Sequence, residues 1–221
     1  MGGVIIALAL EMGLVAAFIT VSVLAVEGMR ELSRRRRAQF EAFAERLNLH
    51  LVERSILGFT SVEGFEGEQH GRVIRYWTYS TGSGKSRTSW IAVGVRPRAH
   101  GFLEFELMRQ GLGTRIMRWF GVKEIQVGDR IFDDHWFIRT NEPEFLAAAL
   151  IPKIRGQLMG TPERTGSRYK LGGDIVHYAE QGSLSRSALE RLEGHLPLLH
   201  ELADLAEVFA ASRGREARVT P

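Results

Sequence analysis

The chain has 221 residues, 44% hydrophobic and 25% charged, with 29 Lys and Arg against 26 Asp and Glu for a formal charge of +3. That composition is globular, and the absence of cysteine excludes a disulfide framework, a thiolate metal site and a thiol nucleophile. The basic surplus sits largely in one N-terminal arginine cluster and in Arg213, Arg215 and Arg218, so the rest is near neutral and charge does not argue for nucleic acid.

The N-terminus is the most apolar part of the chain. Gly3 to Val26 carries a single charge, Glu11. At about 1.5 Å per residue, roughly 20 apolar residues cross a hydrocarbon core about 30 Å thick, so residues 1–27 are expected to form a transmembrane helix. Glu11 is expected to be protonated or to reach the headgroups, a partner helix being the alternative. Met1, Gly2 and the α-amino group precede the span, while Arg30, Arg34, Arg35, Arg36 and Arg37 follow it. The positive-inside rule then places the N-terminus outside and the rest in the cytoplasm, as in a single-pass protein of a bacterial inner membrane. Val23-Leu24-Ala25 resembles a signal-peptide cleavage site, but a basic n-region is missing and the apolar run is long, which favours an uncleaved anchor. Beside a span, the arginines read as a topology signal that attracts anionic lipid headgroups rather than as a nucleic-acid motif.

Residues 28–48 continue as a basic juxtamembrane amphipathic helix, with Met29, Leu32, Arg36, Phe40, Phe43 and Leu47 at spacings of three and four. Its side carrying Phe40, Phe43, Ala44 and Leu47 is expected to pack on the domain that follows, residues 49–211. There, Leu51 to Val62 predicts one or two short strands with turns at Gly58 and Gly64. Arg72 to Tyr79 and Thr88 to Val95 are rich in β-branched and aromatic residues and predict a hairpin around Ser80 to Ser86. Phe102 to Leu107 alternates as a strand with one wet face. Leu112 to Phe120 predicts a short amphipathic helix, and Glu124 to Val127 and Arg130 to Arg139 predict strands. Asn141-Glu142-Pro143-Glu144 predicts a helix start, with Asn141 as cap, Pro143 in the first turn and Glu144 closing a capping box. Pro152 should kink or end that helix. Arg168 to Leu171 and Asp174 to Ala179 predict a second hairpin around Gly172-Gly173. Ser185 to Ala211 is helical in period, with a bend or split at Gly194 and Pro197. Residues 212–221 predict a disordered tail. The class expected is α+β, a mainly antiparallel sheet covered by helices after the transmembrane helix.

Few motifs carry chemistry. Gly82-Ser83-Gly84-Lys85-Ser86 resembles a phosphate-binding loop, yet Tyr79 stands where its first glycine belongs and strand residues follow where a helix is needed. The loop therefore predicts a hairpin tip with Lys85 solvated. Asp133-Asp134-His135, with Asp129 nearby, suggests a metal, but on a strand Asp133 and His135 supply two ligands on one face and no second cluster completes a site. His195 and His200 are five residues apart and would not grip one ion on a helix. Tyr76, Trp77, Tyr79 and Trp90 would serve base stacking, but nearby basic residues are few and cross-strand pairing explains them. No cofactor, metal or nucleic-acid partner is expected.

The segment Trp77-Thr78-Tyr79-Ser80-Thr81-Gly82-Ser83-Gly84-Lys85, the run Gly128-Asp129-Arg130-Ile131-Phe132 and the run Asn141-Glu142-Pro143-Glu144-Phe145 together resemble uncharacterised bacterial membrane-anchored proteins of unknown function. Those have one or two N-terminal spans and a cytosolic domain, and the likeness would cover residues 40–210. It implies an anchor and a domain and brings no activity. The expected role is a non-catalytic binding or scaffold module whose partners are membrane lipid and a membrane-associated protein or a second copy. The alternative is an enzyme on a membrane-proximal substrate, which would need a deep pocket collecting several of Lys85, Arg87, Asp129, Asp133 and His135.

Overall fold

The computed structural model describes residues 27, 34–35, 38–56, 59–110, 125–162, 164 and 166–219. The chain divides into two compact units, Met1–Arg46 and Leu47–Pro221. Among the described residues no helix is long and apolar enough to cross a membrane; the expected span lies outside them, apart from Glu27, as do Arg30, Arg36 and Arg37. In the first unit, residues 38–46 form a helix (α1) that buries Phe40, Phe43 and Ala44, the spacing anticipated from the sequence. Arg34 and Arg35 are helical and exposed.

The second unit is α+β. Its eight strands are β1 (Leu49–Ile56), β2 (Phe59–Gln69), β3 (Arg72–Thr81), β4 (Thr88–Val95), β5 (Phe105–Arg109), β6 (Trp136–Thr140), β7 (Arg168–Gly172) and β8 (Ile175–Gln181). They form one sheet in the order β1-β2-β3-β4-β8-β7-β5-β6, with every pairing antiparallel. Gly64 is not a turn, as its residue type suggests, but lies inside β2, where a Cβ would stand 2.0 Å from the Tyr76 carbonyl oxygen. The actual β2–β3 turn is His70-Gly71, both at positive φ, the two-residue connection that suits the strand twist.

Pairing assigns the faces. Tyr76 opposes Val93, Val93 opposes Tyr178, and Tyr178 opposes Tyr169, so these residues share one face with Ile74, Ile91, Val176, Leu171 and Leu107, all buried. Helices cover this face. Its Arg72 reaches α6 (Leu196–Val219), donating from Nε to Glu207 at 2.9 Å and pairing with Asp204. Burial alone would raise the Glu207 carboxyl, but bonds from Arg72 and the Arg98 N–H outweigh it and hold Glu207 below its usual range. The opposite face carries Trp77, Tyr79, Trp90 and His177, with Tyr79 stacked on Trp90 and Arg168 over the Trp90 ring at 4.4 Å.

Several local expectations change. Arg130–His135 is a helix (α2), not a strand; Asp129 caps it by accepting from Phe132 N, and β6 begins at Trp136. The local cap outweighs the β-rich composition of the run as a whole. Residues 125–127 are not a strand, although Ile125 N donates to Ile138 O. Phe102 does not belong to β5; it sits in a turn at φ +67° and is 88% exposed. The helix α3 (Pro143–Ala149) starts with Pro143 in its first turn, but its cap position is Glu142, without a side-chain bond. Asn141 instead pins the turn, accepting from Glu104 N and donating to Phe102 O. Pro152 opens a separate helix, α4 (Pro152–Gly160), and α5 (Arg186–Glu193) is split from α6 at Gly194. Helix α6 runs to Val219, through most of the stretch whose composition suggests a disordered tail. Leu112 to Phe120 lies outside the described residues.

Candidate functional site

The sequence-selected polar residues are not brought together. Lys85 lies in the single 3-10 turn Gly84–Ser86 at the β3–β4 tip, with Arg87 after it, both exposed. Gly82 and Gly84 have positive φ there, as a hairpin tip requires. Asp133 and His135 belong to α2 before β6, and Asp129 is its cap. In the sheet order β4 and β6 are separated by β8, β7 and β5, roughly 19 Å at the usual strand spacing. Each member of the acidic run also has a local structural partner. Asp129 caps α2 and pairs with Arg155 at 3.3 Å. Asp133 accepts from Val127 N and Gly128 N, and His135 Nδ1 lies 2.7 Å from Ile131 O. Among the described residues no group of three or more His, Cys, Asp or Glu is placed to hold a metal.

A cavity of about 430 Å³ opens elsewhere, between the helix-covered face of β7 and β8 and the ends of α4, α5 and α6. Its size falls in the range of small-molecule sites. The strand period builds the floor: Val176, Tyr178 and Glu180 alternate onto the covered face of β8, and Tyr169 joins them from β7 across the Tyr169–Tyr178 pair. Glu180 is 1% exposed, and both of its oxygens are occupied. Arg191 of α5 reaches Oε1 with Nη2 at 2.7 Å and Nε at 3.2 Å. Oε2 lies 3.2 Å from Arg164 Nε and accepts from the Tyr178 hydroxyl at 3.2 Å.

His195, at the entry to α6, stacks on Tyr178 with ring centroids 3.6 Å apart. Burial, with some help from Arg164, lowers its pKa to about 4, so the ring is neutral at pH 7. Burial raises the Tyr169 phenol, which keeps its proton at pH 7, and its hydroxyl oxygen lies 2.6 Å from His195 Nδ1. The loop carrying Arg164 is fastened at both ends. Arg109 Nη2 donates to Met159 O and Thr161 O while its guanidinium lies over the Trp136 ring. Ser167 donates its N–H and its hydroxyl to Arg164 O.

None of these cavity groups was selected from the sequence. The expected strand ended at Ala179, one residue short of Glu180, although Glu180 keeps the period of Val176 and Tyr178. A carboxylate in phase with two buried apolar residues was the available signal. The two arginines, one in a loop and one on a helix, had no local pattern to mark them.

No family model matches the sequence, and no curated protein matches it. Among solved structures, the crystal structure of the mycobacterial trehalose monomycolate transport factor A, TtfA, is similar to this chain with a TM-score of 0.49 and 11% identity over 80% of this chain and 94% of that one.

Proposed function

We propose that this is a single-span membrane protein whose cytosolic α+β domain acts by binding, with the cavity between β7, β8 and the helix ends as its receptor site. The anchor rests on the apolar run to Val26 and the arginines after it. The binding role rests on one observation: the ionisable groups that floor the cavity are committed to one another. Glu180 is neutralised by Arg164 and Arg191, and His195 Nδ1 is filled by Tyr169. A histidine with a pKa near 4 is a weak base at pH 7, and Thr161 spends its hydroxyl on Leu158 O. A preformed cavity that offers no available base or activated nucleophile among the described residues suits holding a ligand better than transforming one. At the membrane the partners we infer are anionic lipid, against the arginine cluster, and a membrane-associated protein or a second copy of the chain.

Placement is tested by alkaline carbonate extraction of membranes containing the full chain, together with protease treatment of intact spheroplasts carrying a fusion at Pro221. The chain is expected to stay in the pellet and the fusion to survive. Release into the carbonate wash, or digestion of the fusion, removes the anchor and with it the cytosolic placement of the cavity.

A further inference from the structure

We propose that the cavity takes an organic monoanion, one carboxylate or phosphate on an apolar body of a ring or two, with Arg164 meeting the charge. This rests on the binding reading above and adds the chemistry of the ligand. Charge decides the sign. The cavity wall carries Arg164, Arg191, Glu180 and Glu190. Glu190 is engaged by Arg186 at 2.9 Å and Glu180 offsets one guanidinium, so that with Arg186 counted the described residues leave a surplus of one positive charge.

The surplus is localised on Arg164. Arg191 spends Nε and Nη2 on Glu180 and Nη1 on Ser187 O. Arg164 spends Nε on Glu180, and neither of its Nη groups has a partner among the described residues; its side chain is 42% exposed. A guanidinium with free N–H groups matches a carboxylate or phosphate in a bidentate pair. Here it is already oriented by a buried carboxylate and by the Ser167 clamp on its backbone, so little conformational freedom is lost on binding.

The remaining wall is mainly apolar or aromatic, formed by Pro162, Pro197, Leu198 and the rings of Tyr169 and Tyr178, with Gln157, Thr161 and His195 as its polar members. Gly160 lines it too, and a Cβ there would meet nothing within 4 Å. A cationic ligand would face the surplus charge, and a neutral one would leave the Arg164 donors unpaired. An inorganic anion would leave the apolar wall unused.

The test uses the full chain in phosphatidylcholine nanodiscs, with empty discs as blank, and equilibrium dialysis against 1-naphthoate, 1-naphthamide, 1-naphthylmethylammonium and inorganic phosphate. Naphthoate is expected to bind at least ten-fold more tightly than the other three. Arg164→Gln should erase that preference, Arg164→Lys should restore part of it, and Gly160→Leu should fill the cavity and abolish binding with Arg164 intact. Repeating the titration in phosphatidylglycerol discs separates the sources of the anion. Weakened naphthoate binding assigns the site to a lipid headgroup, unchanged binding assigns it to a soluble ligand, and both keep the proposal. Equal binding of naphthoate and naphthamide, preference for the ammonium, or an unaffected Arg164→Gln variant overturns it. If naphthamide still binds and Gly160→Leu still blocks it, the anion assignment falls alone. If no probe binds, or Gly160→Leu changes nothing, the cavity as receptor falls too.

Discussion

Asp129, Asp133 and Asp134 show how one run of acids divides its labour. Asp133 accepts two backbone N–H groups, from Val127 and Gly128. Bonds to a charged acceptor contribute about 1.5–3 kcal/mol each at most and are costly to leave unmade. Asp129 supplies a helix cap and an ion pair with Arg155. Asp134 makes an exposed pair with Arg130 at 4.0 Å, of the kind that contributes little. In urea unfolding we expect Asp133→Ala to cost about 2 kcal/mol, Asp129→Ala about 1 kcal/mol and Asp134→Ala less than about 0.5 kcal/mol. A metal role for the run would predict instead that added divalent cation protects the wild type and not the variants.

Helix α3 illustrates a start assembled by tertiary contact rather than by a local cap. The motif Asn141-Glu142-Pro143-Glu144 reads as a capping box, yet the Asn141 side chain bonds Glu104 N at 2.8 Å and Phe102 O at 2.7 Å. It holds the turn before β5, where Phe102 carries its positive φ. Asn141→Ala should therefore cost about 1–2 kcal/mol and loosen the 100–104 turn as well as the helix, visible as faster amide exchange at Glu104. Glu144→Ala should change unfolding by less than about 0.5 kcal/mol. A capping box would give comparable losses at both positions. The helix of α2 makes the same point in reverse: there the acid before the helix does cap it, and six residues read as strand fold as helix.

Across the whole molecule, a buried histidine, His195, and a half-buried one, His177, tie stability to pH. Burial lowers His195 to about 4, and burial with nearby Lys170 and Arg168 lowers His177 to about 4; both have an ordinary value of 6.5. Because the folded pKa lies below the unfolded one, the unfolded chain binds more protons between pH 6.5 and 4. The stabilisation is complete above pH 6.5 and is lost as pH falls through that window, at about 1.4 kcal/mol per pH unit of displacement for each ring at most. Thermal midpoints should thus fall steadily from pH 6.5 to 4.5, and His177→Gln and His195→Gln should each flatten the slope. An unchanged slope in both variants would mean that carboxylates alone set it.

The division between chain and fold follows from the range of the forces involved. Alternation in Arg72 to Tyr79 and Thr88 to Val95, the glycines of the tip, Pro143 at a helix start, the end of that helix before Pro152, and the break at Gly194 are local preferences of φ, ψ and burial. They specify strands, turns and helices from the sequence alone, together with the α+β class and the apolar N-terminal run. Where a local preference meets a stronger partner, as at Gly64 against the Tyr76 carbonyl or Asn141 against Glu104, tertiary contact decides. The cavity belongs wholly to that second kind. Glu180, Arg164 and Arg191 come from a strand, a loop and a helix, and their charges meet only because β8 sits between β4 and β7 with the helices laid over one face. A carboxylate buried there requires both guanidinium groups, and no spacing along the chain records which arginines would reach it.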